Sequence, residues 1–336
     1  MSAPLPEFTL LHPHDVDAAL AAAKAHPEAR FVAGGTDLLV NMRHGIGAPD
    51  TLISLSRIKA LRRISATDDG LFIGAGVTLA ELARHPVLRH YEAIRDAACV
   101  VAGPSHRNAA TLGGNLCLDT RCLYYNQSDW WRHSNGYCLK YRGEICHVAP
   151  RGKRCRAAFC GDMAPALMVH GARIELATAD GTRHLPLEAF YLEDGAAHLV
   201  LAPDEIVTGV YLPPNDADSA RSAYTKIRIR QAIDFPLAGV ALACDPVAEG
   251  LRFRLAFTGT NARPVLVDLP EALDSGANDA TRDDYFNGLE KLVQRSVSPQ
   301  RTTTTQPHYR RLAVAAMARR LAVGLAAGSA AGSAAG

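Results

Sequence analysis

The apolar and polar positions from His14 to His26 (HDVDAALAAAKAH) read as a helix, and a short apolar strand follows at Phe31 to Ala33. That strand runs directly into GGTD. Asp37 to His44 (DLLVNMRH) returns to helical spacing, and Thr51 to Leu55 reads as another strand. Helix, strand, glycine turn, helix, strand is an α/β opening. Leu71 to Val77 predicts a further strand. Thr78 then stands three residues before Glu81, the capping-box spacing, at the head of TLAELARH. A helix over roughly Glu92 to Ala102 leads into VAGPSHRNAATLGGN. A polar, aromatic stretch from about Asp119 to Gly161 interrupts the pattern. Asp162 to His170 (DMAPALMVH) resumes as helix, and ARIELAT alternates as a strand.

EIVTGVYLPP, Glu205 to Pro214, closes this first region, and the polar run NDADSARS marks a boundary near residue 216. Strands are predicted beyond it at SAYTKIRI, LAGVALAC and LRFRLAFTG. Long helices are predicted near Asn278 to Val297 and Pro307 to Leu325. The fold class expected is α+β: a small α/β part and a larger mixed part over 1–216, then an antiparallel sheet with a helical cover over 217–326. The last stretch, 327–336, is a Gly/Ser/Ala repeat and reads as a flexible linker or appended tail.

Composition narrows the function classes. With 336 residues, 48% hydrophobic and 21% charged, the chain suits a soluble globular protein of several subdomains. A net charge of only +2 gives no global reason to expect nucleic acid. No window has the length and apolarity of a membrane span, and no secretory signal is visible at the N-terminus, so the cytoplasm is the expected compartment. That expectation disfavours disulfides among the eight cysteines.

Two glycine turns carry candidate chemistry. FVAGGTDLLVNMR runs from strand through Gly34-Gly35 into helix. The glycines allow close backbone approach, Thr36 or Asp37 can cap the helix, and free N–H groups can face a phosphate. TLGGN, Thr111 to Asn115, is a second Gly-Gly turn with a hydroxyl and an amide. Two such turns converging would clamp a pyrophosphate. The dinucleotide fingerprint of a Rossmann fold fails here: Gly74 and Gly76 are followed by Leu79 where its third glycine belongs. The GxxxxGK[ST] loop is absent too.

FVAGGTDLLVNMR, HRNAATLGGN, GDMAPALMVHGA and YTKIRIRQAIDFPLAGVALA resemble, in that order and over about Phe8 to Leu325, the FAD-binding medium subunit of the xanthine dehydrogenase and carbon monoxide dehydrogenase family of molybdenum enzymes. The resemblance implies an FAD site built from Phe31, Val32, Ala33, Gly34, Gly35, Thr36, Asp37 and Leu38 with Thr111, Leu112, Gly113, Gly114 and Asn115. It implies that Val101 lies along the flavin, that Asp162 accepts the flavin N3–H, and that Lys226 stands near the isoalloxazine as a cation. No residue is assigned to substrate catalysis, which the resemblance places at a molybdenum cofactor on a large partner subunit.

The interrupted stretch remains. Asn115 and Asp162 are 47 positions apart, far more than a normal connection, and the span between them holds Cys122, Cys138, Cys146 and Cys155 at C-x15-C-x7-C-x8-C. No C-x2-C pair is present, so spacing alone leaves buried thiols, a zinc site and an iron–sulfur cluster open. The run RCLYYNQSDWWRHSNGYCLKYRGEICHV resembles the insert of the family's branch that reduces a phenolic CoA ester. That implies a [4Fe–4S] cluster on these four cysteines within an inserted loop over 119–161, with Leu123 against the flavin. Cys99, Cys117, Cys160 and Cys244 read as buried or incidental. The same resemblance implies a small [2Fe–2S] subunit, ferredoxin as electron donor, and a dimer of heterotrimers, with no nucleic-acid or membrane partner. Between Arg121 and Cys160 there are eight Lys/Arg against two acids, a local charge that suits an anionic cluster or an acidic donor. Trp130, Trp131, Tyr124, Tyr125 and Tyr137 are expected to pack the loop.

Overall fold

The computed structural model describes residues 4–68, 70–214, 221–230, 233–269, 271–298, 305–306 and 308–328. The polar boundary at 215–220 and the repeat beyond 328 lie outside the described residues. The chain builds three sheets. The first is parallel, with strands β1 (Thr9–Leu11), β2 (Arg30–Val32) and β3 (Thr51–Ser54) in the order β1-β3-β2. Parallel neighbours need crossovers, supplied by α1 (Val16–Ala25) and α2 (Leu38–Arg43). Asp15 caps α1 by accepting from the Ala18 N–H at 2.7 Å.

The second sheet is antiparallel, ordered β4-β5-β8-β6-β7, from β4 (Ile64–Thr67), β5 (Gly70–Gly74), β6 (Arg173–Thr178), β7 (Gly181–Pro186) and β8 (Ile206–Leu212). The predicted strand at Leu71 to Val77 stops at Gly74, because the chain there folds tightly over Leu61: a Cβ on Gly74 would lie 2.3 Å from the Leu61 carbonyl oxygen. A run of helices is inserted between β5 and β6: α3 (Leu79–Leu82), α4 (Glu92–Val100), α5 (Pro104–Ala109), α6 (Leu112–Leu116), α7 (Asp129–Ser134) and α8 (Met163–Met168). The capping box on α3 forms as read, Thr78 and Glu81 each satisfying the other's backbone N–H.

The third sheet, β12-β11-β10-β9 with β13 on β11, is antiparallel and comprises β9 (Arg221–Ile227), β10 (Ala238–Val247), β11 (Gly250–Thr258), β12 (Val265–Val267) and β13 (Leu273–Asp274). It is buried on both faces, and the period of two sorts residues by size. Val240, Leu242, Phe253, Leu255 and Phe257 face α9 (Asp279–Ser296) and α10 (Tyr309–Ala326). Ala241, Ala243 and Ala256 on the other face meet α4 and α8. Small side chains let helices of the inserted run lie close on that face, and Tyr224 and Lys226 of β9 share it. Among the described residues no helix is long and apolar enough to cross a membrane.

Candidate functional site

Both glycine turns are brought together by backbone contact. Gly35 has φ +68°, the left-handed region that favours glycine. Gly34 lies so close to the end of α5 that a Cβ there would stand 2.0 Å from the Ala109 carbonyl oxygen, and Ala109 is two residues from Thr111. The second turn is fixed in its own way. Thr111 accepts from the Gly114 N–H at 3.1 Å, capping α6, and the Gly113 N–H donates to Ala75 at 2.8 Å. Phe31, Val32, Leu38 and Leu112 direct their side chains to the core. What the turns leave outward is bare backbone at Gly34 and Gly114, both exposed. Solvent-accessible backbone from both turns thus lies on either side of the Gly34–Ala109 contact.

Asp37 does not cap α2. Its carboxylate accepts from the Asn41 Nδ2 at 3.0 Å and pairs with Arg121. The Asn115 side chain likewise turns to protein: its Oδ1 accepts from the Met163 N–H at 3.0 Å, holding the start of α8 beside Asp162.

Asp162 is 3% exposed and makes no side-chain cap on α8, and the side chain of Lys226 is also 3% exposed, so it is no surface group. Lys226 Nζ donates to Asp162 Oδ1 and Oδ2 at 3.1 and 3.2 Å, and the Tyr224 hydroxyl donates to Oδ1 at 2.6 Å. Burial pushes the Asp162 carboxyl up, opposed by these two donors and by Arg228. Residue parity explains the clamp: Tyr224 and Lys226 are two apart on β9 and share a face. Tyr224 was not singled out from sequence; a tyrosine two before the lysine motif on an alternating strand is the signal that marks it. Gly239 opposite has no side chain because a Cβ would meet the Tyr224 hydroxyl at 2.1 Å.

α4 ends at Val100, two residues short of the expected stop. Ala102 adopts φ +42°, and two arginines hold this strained bend. Arg107 donates to the carbonyls of Val101 and Ala102 at 2.8 and 2.7 Å, and Arg228 to that of Val100 at 3.2 Å.

Cys122, Cys138, Cys146 and Cys155 line a single cavity with Tyr124, Tyr125, Leu139, Lys140 and His147. Cys117 and Cys160 do not line it; burial pushes their thiols up to about 12 and about 11. By residue type the lining is one an iron–sulfur centre uses, four thiols with no carboxylate among them. The cavity is about 10 Å³, so a four-iron centre would have to push these side chains apart. No three His, Cys, Asp or Glu side chains among the described residues are gathered closely enough to hold one metal ion. Burial pushes Cys122 up and Cys155 up to about 12, so metal binding there would release protons.

The segment is stitched to the rest of the protein. Arg121 and Ala158 pair through their backbones at 2.6 and 2.8 Å, closing its neck, and the Phe159 N–H donates to Asn261 of the third-sheet region at 2.9 Å. Arg132, 2% exposed, donates to the Gly45 carbonyl at 2.7 Å just beyond α2 and lies over Tyr141. Lys140 bonds Asp119 at 2.7 Å and covers Tyr125. Three of the eight basic residues are therefore internal struts, while Arg142, Arg151, Lys153 and Arg154 face outward. Tyr124, Trp131 and Tyr137 pack within the segment, but Trp130 does not: it is 76% exposed, because α7 turns it away from the side Arg132 buries. Leu123 is exposed as well.

Comparison with known proteins gives the family and the fold. The pattern of the family described as the FAD binding domain in molybdopterin dehydrogenase matches residues 6–215. The FAD-binding subunit of an aldehyde oxidoreductase from Escherichia coli is 34% identical, the match covering 83% of this chain and 89% of that subunit. The FAD-subunit of nicotinate dehydrogenase from Eubacterium barkeri is 28% identical over 63% of this chain and 60% of its own length. In fold, the chain is similar to carbon monoxide dehydrogenase from Hydrogenophaga pseudoflava (TM-score 0.75, 19% identity, 95% of this chain and 97% of that one). It is also similar to quinoline 2-oxidoreductase from Pseudomonas putida 86 (TM-score 0.74, 18% identity, 97% and 99%).

Proposed function

Since this chain belongs to the FAD-binding family of molybdopterin dehydrogenases, we propose that it is the flavin and iron–sulfur electron-transfer subunit of a 4-hydroxybenzoyl-CoA reductase. The observation that carries the reading is the segment between Asn115 and Asp162: it resembles that reductase's insert in sequence, and four of its six cysteines line one cavity. In this reading the backbone of Phe31 to Leu38 and of Thr111 to Asn115 holds the FAD diphosphate, Val101, Leu123, Asp162 and Lys226 attend the ring, and Cys122, Cys138, Cys146 and Cys155 ligate a [4Fe–4S] cluster. When bound, FAD exchanges one or two electrons and the cluster one at a time, which suits a chain of single-electron centres.

The chain's own residues do the positioning. Gly34 and Gly114 admit the diphosphate to bare backbone. Asp162, its buried carboxylate held by Tyr224 and Lys226, would accept from the ring edge. Lys226 places a buried cation where negative charge develops on reduction. Electrons enter from a reduced ferredoxin and leave toward a small [2Fe–2S] subunit and a large molybdenum subunit, where the phenolic hydroxyl is removed to give benzoyl-CoA. The assembly is a dimer of such heterotrimers.

The 34% identity to an aldehyde oxidoreductase subunit favours a second reading, the same electron-transfer role beside a molybdenum subunit that oxidises another substrate. Anaerobic co-purification decides between them: the partner complex should reduce 4-hydroxybenzoyl-CoA, and one that only oxidises aldehydes or N-heterocycles rejects the reductase. About four iron and four sulfide per chain are expected; zinc without iron removes the cluster.

A further inference from the structure

We propose that Arg121, the residue before the first cysteine of the segment, is the counter-charge that makes the first glycine turn usable by a diphosphate, so that the FAD site borrows a cation from the cysteine segment. This rests on the reading of Phe31 to Leu38 as a diphosphate turn. That turn has an odd member. A loop that receives phosphate offers N–H groups and cations, yet this one carries Asp37, whose carboxylate would repel the incoming anion.

Asp37 is not spent on capping α2. It is held instead by Asn41 and by the Arg121 guanidinium, with 26% and 18% of the Asp37 and Arg121 side chains exposed. Arg121 is built into place from four sides. Its backbone N–H and C=O both pair with Ala158, its Nη1 donates to Asn41 Oδ1 at 3.2 Å, and its guanidinium lies over the Phe235 ring at 4.4 Å. Its Nε is buried with no acceptor among the described residues. The planar fork can bind a carboxylate along one edge and leave donors over for a second oxyanion, which a lysine could not match. The first glycine turn and the cysteine segment thus share one ion pair, Asp37 with Arg121, and the Arg121–Asn41 hydrogen bond stands beside it.

FAD titrations of flavin-stripped full-length chain, followed by flavin fluorescence, test this at low and high salt, with iron content measured alongside. Arg121→Gln should weaken FAD binding by about tenfold or more, because an uncompensated carboxylate then faces the diphosphate. Salt should shrink the defect by screening that repulsion. Asp37→Asn should bind FAD at least as tightly as wild type, and Arg121→Gln with Asp37→Asn should recover most of the loss. If Arg121→Gln does not fold, Arg121→Lys and Asp37→Asn carry the test, the second still binding no more weakly than wild type. Unchanged affinity in Arg121→Gln overturns the proposal, as does a double variant as weak as the single one or weaker FAD binding by Asp37→Asn. A wild-type chain that takes up no FAD would instead remove the diphosphate reading on which it stands.

Discussion

Tyr224, Asp162 and Lys226 form the tightest polar group near the candidate flavin ring, a carboxylate held by a hydroxyl at 2.6 Å and an ammonium at 3.1 Å. Tyr224→Phe keeps the ring and removes one donor. Asp162 should then become protonated at higher pH than in wild type, and stability should fall by about 1–3 kcal/mol. The carboxyl stretch in infrared difference spectra and urea unfolding read the two effects. His170 offers a separate pH response. It is buried against Tyr91, and its pKa is pushed down from 6.5 to about 3 by burial and the Arg254 charge. Below 6.5 the unfolded chain takes a proton that the folded chain refuses until about 3, so stability is lost as pH falls through that window. The contribution of His170 to the slope should approach about 1.4 kcal/mol per pH unit between about pH 4 and 6 and should be lost in His170→Gln, as the difference in urea midpoints between the two proteins across that range measures. Among the cysteines, Cys146→Ser should abolish the iron signal while FAD remains, because Cys146 lines the thiol cavity and no residue of the glycine turns does.

At the scale of elements, the two glycine turns make the sharpest case. Gly34→Ala drives a Cβ into the Ala109 carbonyl with no flexible side chain to yield, so a loss of about 3 kcal/mol or more and of FAD binding is expected. Gly114→Ala meets only the Thr111 hydroxyl, at 3.1 Å, and should cost far less stability; thermal melts and flavin content compare the pair. Sequence reading found both turns, since Gly-Gly before a helical pattern is a local signal. Their convergence was not legible, because it depends on one backbone packing against another 75 residues on, which leaves no trace in periodicity. The long strands of the third sheet were legible from their apolar runs. The alternation of Val, Leu and Phe with Ala that tells which face meets which helices emerges only once both covers are seen. β7 was missed for the opposite reason: GTRHLP is polar and mostly exposed, an edge strand held by pairing with β6 rather than by burial. Trp130 misled because aromatic residues usually pack, whereas a short helix can present only one of two adjacent tryptophans inward.

For the whole molecule, the third sheet is the keel: helices α9 and α10 cover one face, and α4 and α8 bring the candidate flavin residues to the other. If the chain has the proposed electron-transfer role, an acidic donor would be drawn to the outward basic residues of the cysteine segment. Neutralising Arg151, Lys153 and Arg154 together should slow electron entry at low salt and leave the rate at high salt unchanged. Stopped-flow reduction by ferredoxin measures it, and equal rates at low salt would exclude docking there. The neck of that segment has a consequence of its own. Because Arg121 and Ala158 are already hydrogen-bonded partners, everything between them leaves and rejoins the chain at one point. A loop tied off in this way is thermodynamically cheap to lengthen, since closure entropy grows only with the logarithm of its length. The cysteine segment can therefore change in length at little entropic cost, provided the two stitches inside its neck, Arg132 on the Gly45 carbonyl and Cys155 against Gly195, are kept.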